Sequence, residues 1–362
     1  MTDFNLFDVP QRAELMDLTE SPDSLSNYTN LTEVDSRCIR DNAVHRVAFP
    51  VLYTILFIVG ISLNSLAAWV FFQIPSKSNF IIYLKNIVVA DLLMTLTFPF
   101  KILRDSKLCP EYLKIIVCQV TSVVFYFTMY ISIILFGLIS IDRYQKIVSP
   151  FKNAKTLSLQ CVKVLSAAIW AFMFFLSLPN MFLIKQEHVS EHFKCASLKT
   201  EFGLKWHEVV NYTCQIIFWA NLAVVTFCYV LITKELYNSY TRTKSTNRKG
   251  RKTVKMNVFL VLAVFSICFL PYHFSRVPYT MSQTRDMFRC SLKIILFQVK
   301  ESTLWLSSLN SCLDPLIYFF LCDSFRKSLF KTLNLTFFRC FSTRKKVQER
   351  PTEGTPLKAT SI

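Results

Sequence analysis

Residues Ala48–Phe72 read AFPVLYTILFIVGISLNSLAAWVFF, 25 residues without one charged side chain. About 20 mostly apolar residues are enough for a helix to cross the hydrocarbon core of a bilayer. In lipid only helices and closed barrels satisfy the backbone, and this run is too long for a barrel strand. Six more runs follow: Phe80–Leu103, Ile115–Ile141, Val162–Ile184, Val209–Thr233, Val254–Tyr279 and Ile294–Leu321. The expected fold is an all-α membrane protein, a bundle of seven transmembrane helices. Composition agrees. Hydrophobic residues make up 52% of the 362 and charged residues 18%, against about 25% in soluble domains. An ordinary cytosolic enzyme, a disordered chain and a secreted disulfide scaffold are disfavoured.

The net charge is +17. In a membrane protein the placement of Lys and Arg matters more than the sum. Lys234, Arg242, Lys244, Arg248, Lys249, Arg251, Lys252 and Lys255 cluster between the fifth and sixth runs, and a second basic group follows the seventh. Asp3, Asp8, Glu14, Asp17, Glu20, Asp23, Glu33, Asp35 and Asp41 precede the first. This places the N-terminus outside and the C-terminus in the cytosol, at the plasma membrane. A basic tail after a membrane span faces lipid headgroups rather than nucleic acid. Residues 1–46 form an outer segment, 47–322 the bundle, and 323–362 a cytoplasmic helix and tail. Asn27 and Asn30 head glycosylation sequons in the outer segment. No apolar core of a cleavable signal precedes the first run, so that run is expected to act as the targeting signal.

Five cysteines fall on the outer side: Cys38, Cys109, Cys118, Cys195 and Cys290. Disulfides form on that side, although connectivity is not readable from sequence. Cys118 and Cys195 can meet, as can Cys38 and Cys290 if the first and seventh helices are neighbours. Cys109 is left over. Cys214, Cys228, Cys268 and Cys312 are expected to pack, and Cys340 is an acylation candidate.

Several short motifs stand each on its own helix: Asn64, Ala90-Asp91-Leu92, Asp142-Arg143-Tyr144, Trp170, Cys268-Phe269-Leu270-Pro271 and Asp314-Pro315-Leu316-Ile317-Tyr318. Together they resemble the rhodopsin-like G-protein-coupled receptors. Ser78–Asn86, Thr97–Leu103, His273–Thr280, Ser282–Asp286 and Val299–Trp305 resemble the metabotropic purinergic branch of that superfamily. Asn221, Phe269 and Asp314 depart from the commoner Pro, Trp and Asn of the superfamily and favour the purinergic branch. The resemblance implies a receptor for extracellular ADP that activates an inhibitory heterotrimeric G protein and lowers cyclic AMP. A receptor of the same fold for nucleotide sugars of the UDP-glucose type is the alternative, or an orphan of the same branch. It also implies arrestin and receptor kinases as partners.

ADP offers a stackable base and a compact anionic diphosphate. Its receptor needs aromatic faces and charge-assisted donors. Basic groups deep in a membrane are costly, so a cluster implies an anion or fixed acidic partners. Tyr272, Arg276, Tyr279 and Gln283 are spaced to share one helix face, and His207, Asn211, Cys214 and Gln215 form a polar stripe. Lys114, Tyr126, Asn180, Lys199 and Lys300 complete the candidate set. The resemblance implies Tyr126 against the base, and Arg276, Tyr279, Gln283, Lys199 and Lys300 around the phosphates. Glu301 beside Lys300 makes an internal ion pair a rival.

Asp91 lies mid-helix, where an acid is costly. With Asn64, Ser132, Asn310, Ser311 and Asp314 it matches the superfamily's allosteric sodium site. No other cofactor is expected. At the inner end Asp142 is expected to hold Arg143 at rest, and Tyr229 and Tyr318 to receive it after activation. Ser324–Phe330 reads as an amphipathic surface helix. Thr360-Ser361-Ile362 is a candidate PDZ-domain ligand. A retinal protein would need a Lys inside the seventh helix, and Leu304–Leu321 has none.

Overall fold

A computed structural model describes residues 43–106, 108, 110–148, 157–183, 199–243, 248–284 and 288–332. Asn27, Asn30, Cys38, Cys109, Cys195, Cys340 and the terminal tripeptide lie outside the described residues. Among the described residues, seven helices are long and apolar enough to cross a membrane. They are α1 (Ala43–Gln73), α2 (Asn79–Asp105), α3 (Val117–Val148), α4 (Leu159–Phe182), α5 (Glu201–Thr243), α6 (Arg248–Thr284) and α7 (Cys290–Leu321). A short α8 (Asp323–Thr332) follows. The helices run longer than the apolar stretches. Most of the basic residues expected in a loop between the fifth and sixth spans instead extend α5 and α6 as helix.

Breaks in the spans follow from proline. Pro99 has no N–H and its ring crowds the carbonyl four residues back, so α2 breaks between Thr95 and Phe98 and resumes. Pro179 marks a similar step near the end of α4. Pro271 and Pro278 sit inside an unbroken α6. A π-helical turn, Val117–Thr121, opens α3.

About two-thirds of the apolar window of α2 and of α3 is buried within the protein, against under a third for α4 and α5. The first pair is therefore interior and the second faces lipid broadly. The ring closes because α7 packs on α1 as well as on α6. Lipid tails are as apolar as leucine, so close packing and interhelical hydrogen bonds hold such bundles. Asn64 Nδ2 donates to Ser311 O (2.6 Å), Trp170 Nε1 to Asn86 Oδ1 (3.0 Å) and Ser307 Oγ to Cys268 O (2.8 Å). Asn221, on α5, donates to Ile133 O of α3. Gly137 makes room for it: a Cβ there would overlap Asn221 Oδ1.

Candidate ligand pocket and transmission core

One end of the bundle collects basic groups on several helices. Arg276, on α6, is 6% exposed. Its guanidinium donates to Tyr126 Oη (3.2 Å) and to Asn211 Oδ1. It also lies 4.7 Å from the Tyr126 ring centre and 5.7 Å from that of Tyr272. Those two rings stack at 6.3 Å. Among the described residues no carboxylate forms an ion pair with Arg276. A guanidinium has five N–H donors, and neutral partners engage only some of them.

Lys199 Nζ donates to Asn180 Oδ1 at 2.8 Å. Burial, aided by the Arg276 charge, pulls its pKa down to about 7. Its placement is set by a tight seam. Thr200 N donates to Leu183 O (3.2 Å), and a Cβ on Gly203 would meet the same carbonyl at 2.5 Å. Gln283 Nε2 donates to Tyr279 Oη (2.8 Å), and Lys300 Nζ lies 5.3 Å from the Tyr279 ring centre. His207 is half-buried one turn before Asn211. Gln215 is turned to α6, where its amide donates to His273 O (2.9 Å). Lys114 lies on the helical turn Glu111–Ile116.

The ion-pair rival for Lys300 is real. Lys300 Nζ is 2.6 Å from Glu301 Oε1, and Lys101 Nζ is 2.7 Å from Glu301 Oε2. Lys101 also reaches Asp105 (3.2 Å), which Arg104 holds at 2.9 Å. His45, Asp105 and Glu301 bring possible metal donors within 4.8 Å of one another. The Lys101 ammonium already stands between the two carboxylates, and three cations face two acids. Sequence reasoning passed over Lys101, Arg104 and Asp105 as a group. Their signal was Lys101 and Asp105 one turn apart beyond the α2 break.

Sequence reasoning placed five outer cysteines, and two of them are described: Cys118 and Cys290 are each in a disulfide. Cys214, Cys228, Cys268 and Cys312 are free and buried.

Deeper in the bundle, Asp91 and Asp314 are fully buried and face one another. Tyr318 Oη donates to Asp91 Oδ2 (3.1 Å) and Asn310 Nδ2 to Asp314 Oδ2 (2.8 Å). Asp91 Oδ1, Asp314 Oδ1, Asn64 Oδ1, Asn310 Oδ1 and Ser132 Oγ are buried without a hydrogen-bond partner. An oxygen-rich cradle with two carboxylates fits a hard cation.

The opposite end corrects one expectation. Asp142 does not ion-pair with Arg143. Its carboxylate pairs with Lys146 one turn on, at 2.8 Å. An acid four residues before a base is the favoured helical order. Arg143 instead lies over the Phe80 ring, 3.6 Å from its centre. Tyr144 is half-buried and Tyr229 is buried.

Among the described residues, seven helices able to cross a membrane, with a cluster of basic groups at one end and a buried acid pair beneath it, fit a seven-helix membrane receptor. The sequence profile of the 7 transmembrane receptor (rhodopsin family) matches residues 63–318, and the chain belongs to that family. The chain is 51% identical to human purinoceptor 13 over 294 residues, 81% of this chain and 83% of the relative. It is 44% identical to bovine purinoceptor 14 over 311 residues, 85% and 92% of the two chains. Identity to mouse G-protein coupled receptor 87 is 45% over 295 residues, 81% and 82%. The chain is thus a purinoceptor-type receptor and not an enzyme, a multi-pass protein of the plasma membrane.

Proposed function

We propose that the chain is a receptor for extracellular ADP that activates an inhibitory heterotrimeric G protein and lowers cyclic AMP. The observation that carries the ligand class is Arg276: a buried guanidinium on two stacked tyrosines, with donors to spare and no carboxylate partner among the described residues. A buried cation of this kind is stabilised by an anion that arrives with the ligand. Lys199 and Lys300 stand ready to share a diphosphate. The half-buried Tyr126 ring, backed by Tyr272, offers a face to a nucleobase.

In this reading the basic end faces outward, as the distribution of Lys and Arg indicates. Two inner features link the pocket to signalling. Asp91, Asp314, Ser132, Asn310 and Ser311 would hold a sodium ion, whose charge offsets the two acids. Pro271 weakens α6 below Arg276, so that closure of the pocket on an anion can bias the helix. The ligand activates only by binding the open-bundle state better than the resting one.

The test is G-protein activation in cells expressing the chain, titrating ADP beside UDP-glucose. An ADP response lost in Arg276→Ala supports the reading. A response to UDP-glucose without one to ADP would move the ligand to the nucleotide sugars. Silence to both, with surface expression confirmed, would remove the ligand assignment.

A further inference from the structure

Arg143 is held unusually. Its Nε is buried without a hydrogen-bond partner, and its guanidinium rests on the Phe80 ring. The neighbouring acid, Asp142, is taken by Lys146. Tyr318, the distant acceptor expected after activation, is turned to Asp91 instead. Phe80 is itself fixed. Ser78 caps α2 by accepting from Ile81 N (3.4 Å), and Asn79 Nδ2 donates to Leu157 O (3.1 Å) just before α4. The ring is 5% exposed and belongs to the core.

We propose that Phe80 is the resting seat of Arg143, and that Lys146, by occupying Asp142, keeps that acid from holding the arginine more tightly. Phe80 and Lys146 are then positioning residues outside the Asp142-Arg143-Tyr144 motif that set ligand-free activity. A cation over a desolvated aromatic face is attracted by the ring quadrupole. To meet a G protein, Arg143 must leave that face. Removing the quadrupole lowers the barrier to leaving, whereas freeing Asp142 raises it by supplying an ionic partner. The inference rests on membership of the G-protein-coupled class and not on ADP as ligand.

Three variants of the full chain separate these effects. Phe80→Leu keeps apolar bulk without the quadrupole, Phe80→Tyr keeps the ring, and Lys146→Gln releases Asp142. Ligand-free nucleotide exchange per surface receptor is measured on a panel of heterotrimeric G proteins. In parallel, spin labels at the Arg143 ends of α4 and α6, with the receptor in nanodiscs, report opening of the bundle without any G protein. Phe80→Leu is expected to raise the open population roughly two- to thirty-fold. Phe80→Tyr should match the parent and Lys146→Gln should fall below it. A Phe80→Leu variant no more open than the parent overturns the proposal. So does Phe80→Tyr opening as much as Phe80→Leu, or Lys146→Gln raising the open population. If no nucleotide activates any G protein, the ligand reading fails, while the spin-label distances still decide this one.

Discussion

Arg276 and Lys300 are both buried cations near one pocket, yet they differ in what holds them. Among the described residues Arg276 has only neutral partners, whereas Lys300 is neutralised by Glu301, which it shares with Lys101. Arg276→Ala should therefore weaken nucleotide binding by roughly ten- to a hundredfold, the range for losing charge-assisted hydrogen bonds. Lys300→Ala should cost less, because Glu301 then turns wholly to Lys101. Competition binding on membranes measures both. Arg276→Lys should not rescue, since an ammonium cannot donate along two fixed directions. Lys199 supplies a pH dependence. Its pKa is pulled down to about 7, so it is a cation below that pH and neutral above. An anion binds the protonated form, so affinity should fall as pH rises from about 6.5 to about 8, by at most about tenfold per pH unit. Lys199→Arg should flatten that slope, which corrects for the ligand's own phosphate ionisation. At this scale the sequence made the polar positions legible: Arg276, Tyr279 and Gln283 follow from helical spacing. It could not say that Lys101 and Lys300 share one acid, because Lys101 and Glu301 meet only through the fold. Its assignment of Asp142 to Arg143 passed over Lys146, which lies one turn on and takes the carboxylate.

At the scale of elements, α3 and α5 meet where Gly137 faces Asn221. Gly137→Ala would place a methyl against an amide that is already bonded to Ile133 O. The amide must then swing away and give up that bond. Overpacking of this kind costs about 1–3 kcal/mol, read as a lower melting temperature of the detergent-solubilised receptor. Asn221→Ala on top of Gly137→Ala should recover part of the loss, because the second change removes the clash. A loss in the double variant equal to the sum of the Gly137→Ala and Asn221→Ala losses would mean that the two residues do not bear on each other. The helices themselves were legible from hydropathy. The breaks in α2 and α4 lie at Pro99 and Pro179, which a reading by hydropathy passed over as continuous spans. The extension of α5 and α6 was not legible either, because charged helical turns beyond the bilayer look like loop in a hydropathy profile.

For the whole molecule, the buried acid pair sets a further expectation. If Asp91 and Asp314 share a sodium ion at rest, raising Na⁺ should lower agonist affinity, and Asp91→Asn should abolish that dependence. Agonist affinity that ignores Na⁺ would rule the cation out. Disulfides at Cys118 and Cys290 tie the heads of α3 and α7 into the same end of the bundle as the pocket. The bond from Thr200 N to Leu183 O has a different consequence. It joins the end of α4 to the residue before α5, main chain to main chain. Lys199 precedes that junction by one residue, so the reach of its ammonium is set from α4 as much as from α5. A change that shifts Leu183 O, such as Gly203→Ala, should therefore be felt at the ligand cation and not in stability alone.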